Sequence, residues 1–155
     1  MIAPGSTGSS LSISSVRGYA RRIAGFSAAL ARSQGAIVNI LSLAALASVR
    51  FSPADSISRV AAFSLTQSLR ALSAARGVKV HALLAGPVDP DMARHLDLPK
   101  TSPELVAGVF DRLEKGEEEI FPDPMSQSIT EGSRNGIAKA LEQQFAAFLP
   151  DTASA

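Results

Sequence analysis

The chain has 155 residues, a formal net charge of +1, and 46% hydrophobic against 19% charged residues, the balance of one globular domain and not of a disordered chain. Near-neutral charge gives nucleic acid or an anionic membrane surface no electrostatic footing as a partner. The absence of cysteine excludes disulfides, thiolate metal sites and a cysteine nucleophile, and two histidines, His81 and His95, are too few for a histidine-rich metal site.

Residues 1–15 are rich in Ser and Gly (Pro4 to Ser10) and read as a flexible lead-in. They lack a basic region followed by an apolar one, so no signal peptide is expected and the default location is the cytoplasm. A helix is predicted from about Val16 to Ser33, with Tyr19, Ile23, Phe26 and Leu30 on one face at helical spacing. Arg17, Arg21 and Arg22 read as its solvated side. Gly35 ends it. Ala36 to Leu41 then reads as a strand buried on both faces, because it does not alternate. The whole apolar run Ala36 to Val49 falls short of the ~20 residues of a membrane helix.

The next helix has a legible start: Ser52 as N-cap, Pro53 at the first helical position, and Asp55 completing a Ser-x-x-Asp capping box. It is expected to run to about Ala75, with Gly77 beyond its end. Val78 to Leu84 reads as a second strand, broken by Gly86-Pro87. A helix near Pro103 to Lys115 follows, then an acidic turn (Glu117 to Glu119) taken as solvated, an extended Ile120 to Pro122, and a last helix over Asn135 to Phe148. The domain is therefore expected over 16–149, with a tail at 150–155.

Two strands joined through a helix make a parallel crossover unit, so the class is α/β. Two strands are few for a parallel sheet, and the free edge of the first is a liability. On physical grounds the chain reads as part of a larger sheet.

The segment Gly35 to Ser42 resembles the strand that carries the catalytic serine of short-chain dehydrogenases/reductases. In that family a Tyr-x-x-x-Lys motif begins thirteen residues after the serine. Here Ala54 to Thr66 resembles the surrounding Tyr-Ser-x-Ser-Lys-x-Ala-x-x-x-Leu-Thr pattern, but Asp55 stands at the tyrosine position and Arg59 at the lysine position. Ala85 to Met92 resembles the family's Pro-Gly-x-Val-x-Thr-x-Met loop, which holds the nicotinamide end of the cofactor. Gly86, Pro87 and Val88 fall in that loop, and Pro90 replaces the threonine. Ser15 aligns with the family's asparagine, and Phe121 to Met125 resembles the tail of some bacterial members. The resemblance spans about residues 15–149 and implies the C-terminal half of a partial Rossmann-like, doubly wound sheet with flanking helices. The Gly-rich pyrophosphate loop of the family's first half has no counterpart. Gly5-Ser6-Thr7-Gly8 is not that loop, because no strand precedes it.

In the family the tyrosine is the general acid/base, with its pKa lowered by the lysine and the oxidised cofactor. The serine hydrogen-bonds the substrate oxygen, and the asparagine helps hold a relay water. Aspartate, with a reference pKa of ~3.9, is a poor acid near neutrality and is shorter than a phenol. Arginine keeps the charge but cannot place a compact ammonium in the same spot. Of the motif residues only Ser42 remains. Asp55 and Arg59, four apart with the acid first, also suit a weak helical ion pair, and that structural role is the expected one. Asp89 and Asp91 read as solvated loop carboxylates, His81 as a core or edge histidine, and His95 as exposed.

The first expectation is thus a degenerate, truncated family member without hydride transfer of its own. It takes no NAD(P) alone, although the family does, and acts through contacts. The family's interface helices correspond to 16–33 and 52–75, with Ala61, Leu65, Leu69 and Leu72 as an apolar stripe, so a homo-oligomer is expected. One alternative is an NAD(P)-dependent oxidoreductase whose cofactor half is missing or supplied by another chain. Another is a small-molecule binding domain reusing the old substrate pocket, with Pro87 to Leu98 and the following helix as lid.

Overall fold

Every strand among the described residues runs the same way, because each is reached from the one before through a helix. The computed structural model describes residues 18, 21, 25–26, 28–49, 53–86 and 103–148, with only the backbone for residues 54 and 103–107. The described part of the first helix is helical through residue 33, with Arg21 and Phe26 exposed and Leu30 partly buried. Gln34, not Gly35, takes the left-handed conformation there (φ 48°), and the Gly35 amide donates back to the Leu30 carbonyl at 2.8 Å.

Strand β1 (Ala36–Ser42) leads through a 3₁₀ turn (Leu43–Ala45) to helix α1 (Pro53–Ala74) and strand β2 (Lys79–Ala85). Helix α2 (Pro103–Glu114) and strand β3 (Glu119–Ile120) follow, then α3 (Pro124–Gln127), α4 (Thr130–Arg134) and α5 (Ile137–Ala146). Helix α1 ends as its sequence predicts. Gly77 takes φ 69° and the Val78 amide donates to Ser73 O at 3.3 Å, a closure a side chain would strain.

The sheet order is β1-β2-β3, all parallel. Ile40 faces Leu83 and Ser42 faces Ala85 across β1 and β2, and β3 pairs through Ala82↔Glu119 and Leu83↔Ile120. The extended stretch after the acidic turn is thus a third strand, one residue earlier than its apolar letters suggest. Helices cover both faces. On one, Ala82, Leu84 and Phe121 pack with Ala45, Leu41 and Phe63 of α1. On the other, Val109 and Leu113 of α2 pack on Leu83 and Ile120. This is the α/β, doubly wound arrangement expected from the sequence.

The expectation that β1 is buried on both faces is corrected. Ile37, Asn39 and Leu41 are buried or half-buried, while Ala36, Val38 and Ile40 are exposed, Ile40 by 78%. Helix α2 lies over β2 and β3, so nothing among the described residues covers that face of β1. Likewise Leu65 and Leu69 are half-buried in their own chain, and the exposed apolar residues of α1 are Ile57, Val60 and Leu72. No described helix is long and apolar enough to cross a membrane. The lead-in 1–15, the tail 150–155 and the lid 87–98 lie outside the described residues.

Candidate functional site

Parallel strands bring their C-terminal ends to one rim, where doubly wound sheets bind ligands. Ser42 ends β1 there, beside Ala85 and Gly86 at the end of β2. Its hydroxyl caps the 3₁₀ turn, accepting from the Ala44 amide at 3.3 Å. The loop beyond is held by buried Ser56, whose hydroxyl accepts from the Val49 amide at 2.9 Å. Below, buried Asn39 donates to Thr66 Oγ1 at 2.8 Å, and that hydroxyl donates to the Ala62 carbonyl, locking β1 to α1.

Asp55 and Arg59 meet as their spacing predicts: Arg59 Nε donates to Asp55 Oδ2 at 2.7 Å, with both side chains about one-third exposed (31% and 40%). The pair is a turn of helix closing on itself and leaves neither charge unpaired. Ser52, the expected N-cap, and Ser15, Pro87, Val88 and Pro90 lie outside the described residues.

Gly86 is described, and its amide is committed. It donates to Asp123 Oδ2 at 2.8 Å, and a Cβ on Gly86 would stand 2.8 Å from Asp123 Oδ1. Only glycine fits under that carboxylate. Asp123, 2% exposed, also accepts from the Ser126 amide and hydroxyl as N-cap of α3 in a capping box with Pro at the helix start. The sequence reading passed over this anchor. Its signal was Asp-Pro-Met-Ser, a capping-box pattern.

A second polar cluster was also missed. The acidic turn is solvated only in part: Glu118 is exposed and Glu117 half-buried, but Glu119 is 4% exposed. Its carboxylate meets Arg70 and Lys139 at 2.9 Å each. Glu142 joins through Arg70, Lys139 at 3.0 Å and Gln67 at 3.0 Å, and Glu118 through Lys139 at 2.5 Å. The network ties α5 to α1 and β3. Burial opposes charging of Glu118, yet the Lys139 hydrogen bond and the Arg70 charge outweigh it and hold its pKa below the ordinary 4.5. Burial likewise opposes the charge of Lys139, but Glu118 and Glu119 outweigh it and raise its pKa above the ordinary 10.5. Carboxylate oxygens of Glu118, Glu119 and Glu142 lie within 4.8 Å of one another, but the two cations already fill the space between them.

His81 is buried in β2, as a core histidine. Its Nδ1 lies 2.6 Å from the Glu117 carbonyl, and Nε2 has no hydrogen-bond partner.

Several polar groups of the described rim are already engaged within the chain. The Gly86 amide is taken by Asp123, the Ser42 hydroxyl caps a turn, and Asp55 and Arg59 hold each other.

The family model for short chain dehydrogenases matches residues 7–100. No curated protein matches the chain. Among solved structures, a short chain dehydrogenase from Burkholderia cenocepacia, in complex with NADP, is 33% identical over 83% of this chain and 56% of its own, with a TM-score of 0.66. A bulky-bulky ketone specific alcohol dehydrogenase from Comamonas testosteroni matches 100% of this chain and 62% of its own at 19% identity and a TM-score of 0.65. A short-chain dehydrogenase from Sphingobium yanoikuyae, in complex with NADPH, matches 90% and 56% at 20% identity and a TM-score of 0.59. The last two likenesses are of fold alone. The chain spans 56% to 62% of the length of these three relatives.

Proposed function

This chain belongs to the short-chain dehydrogenase family, and from that premise we propose that it is a degenerate member without hydride transfer of its own, acting through contacts with other chains. One observation carries the reading. The residues at the family's tyrosine and lysine positions, Asp55 and Arg59, form an ion pair with each other at 2.7 Å. A short carboxylate engaged by a guanidinium one helical turn on does not present a phenol hydroxyl at this position, and a planar guanidinium does not replace a compact ammonium. Ser42 then remains as a turn cap, one α/β module covers 16–149, and the chain alone takes no cofactor. The contacts run through helices 16–33 and 52–75, where Ile57, Val60 and Leu72 are exposed.

The test is NADPH consumption by the purified chain with small ketones. No turnover above buffer is expected, and Ser42→Ala changes nothing. Turnover that Ser42→Ala abolishes overturns the reading.

The bare side of β1 favours a second reading, an oxidoreductase whose cofactor-binding half is supplied by another chain. Among the described residues β1 has one strand neighbour, and Val38 and Ile40 stand exposed on it. Amide exchange on β1 separates the two readings. Rapid exchange that slows on adding the cofactor-binding half of a related dehydrogenase supports the second.

A further inference from the structure

Helices α4 and α5 meet α1 around an open hollow of about 500 Å³, within the ~300–1,000 Å³ of small-molecule sites. It is apart from the rim, since none of Ser42, Asp55 and Arg59 lines it. Leu46, Phe63, Ile129 and Ile137 give it apolar walls. Its polar side belongs to the ion network, through Gln67, Glu119, Lys139 and Glu142, with Ser133 beside them.

The hydrogen-bond inventory of that side is lopsided. Its cation is used up: Lys139 Nζ donates to Glu118, Glu119 and Glu142, which takes all three ammonium hydrogens. Acceptors are left over. Glu119 is 4% exposed, and only its Oε1 meets Lys139 and Arg70. Its Oε2 has no hydrogen-bond partner among the described residues. Gln67 Nε2 donates to Glu142 Oε2, which fixes the amide orientation and leaves Gln67 Oε1 without a donor. The Ser133 hydroxyl has no partner either among the described residues. The charge is lopsided in the same sense. Glu118, Glu119 and Glu142 face two cations, Arg70 and Lys139, while the neighbouring Arg134 and Glu117 cancel.

We propose that this hollow binds an amphiphilic primary amine. The ammonium supplies the missing donors to Glu119 Oε2 and Gln67 Oε1 and the missing positive charge. An alkyl or aryl body lies against Leu46, Phe63, Ile129 and Ile137. An anion finds no uncommitted cation on these walls, and a bare metal ion leaves the apolar walls unused.

The experiment is titration calorimetry of the full chain with three probes of one shape: phenylbutylammonium, phenylbutanol and phenylbutyrate. The ammonium is expected to bind once per chain, and less tightly as salt is added. The alcohol binds roughly tenfold more weakly, the loss expected for a hydrogen bond to a charged group, and the carboxylate gives no heat. Gly132 lines the hollow, and a Cβ there meets no atom within 4 Å. Gly132→Leu therefore fills the space and abolishes binding while the melting temperature holds. Independently of that variant, amide shifts of the wild-type chain should move at residues 129–138 and at Gln67. No binding of the ammonium overturns the proposal, as does equal binding of the alcohol or the carboxylate. So does binding that survives in a folded Gly132→Leu chain, or shifts that gather around Ser42 instead.

Discussion

The sheet and helix α5 are built on opposite plans. Around β2 the interior is largely apolar: Ala82, Leu84 and Phe121 are fully buried on the face covered by Phe63 of α1, and Leu83 and Ile120 pack against Val109 and Leu113 of α2 on the other. Helix α5 has no buried residue. It is fastened by Lys139 and Glu142 to Arg70, Glu118 and Glu119, and it shows its apolar side to the outside. The sheet is therefore held by area removed from water, which does not depend on the ionisation of any group. The helix is held by charges, whose net contribution depends on every partner staying ionised.

The largest effect that tests this contrast is expected in the sheet. Phe121→Ala empties the site of the largest fully buried side chain among the described residues and should cost about 3–5 kcal/mol, read by urea unfolding as a shift of the whole cooperative transition. A local loss confined to α5 would break the comparison. Glu119→Gln comes next. It leaves Arg70 and Lys139 short of a buried partner, and about 3 kcal/mol is expected. Amide exchange should rise in α5 and hold in β1 and β2.

The third effect is a pH window. The pKa of Glu118 is lowered from 4.5, so its contribution is present above that value and is lost as pH falls through the folded-state value. The pKa of Lys139 is raised from 10.5, so its contribution is present below that value and is lost as pH rises through the folded-state value. The attachment of α5 should be flat between about 4.5 and 10.5 and loosen on either side, as followed by exchange of α5 amides. The smallest effect belongs to Asp55→Ala. Its exposed helical pair with Arg59 contributes about 0.3–0.5 kcal/mol, and a loss several times larger would mean that Asp55 does more than pair with Arg59.

The fold was largely legible because its signals are local. Gly77 marked the end of α1, the apolar runs from Ala36 and Val78 marked the two long strands, and their linkage through a helix required them to be parallel. The pairing of Asp55 with Arg59 was legible for the same reason, since four residues on a helix is a fixed distance. Strand β3 was read one residue late and only as an extended stretch, because pairing is a property of the neighbour and Glu119 does not look like a strand residue.

The polar anchors were not legible. Asp123 reaches Gly86 across 37 residues of sequence, and Arg70 reaches Glu142 across 72. A single charged letter carries no mark of which distant charge will meet it. The acidic triplet reads as a solvated turn because acidic runs in isolation are, and its last member, Glu119, is buried only when α1 and α5 bring Arg70 and Lys139 over it. The open face of β1 has the same origin. A run without alternation says that both faces can be buried, but which face a helix covers is decided by where α2 crosses the sheet.

By itself, then, the sequence determined the α/β class, the parallel sense of its strands, the helix closure at Gly77 and the pairing of Asp55 with Arg59, all set by short-range spacing and side-chain chemistry. Tertiary structure alone decided which charges are buried, why position 86 has to be glycine, and which apolar surfaces of β1 and α5 remain outside. Those depend on contacts between segments that periodicity and propensity do not relate.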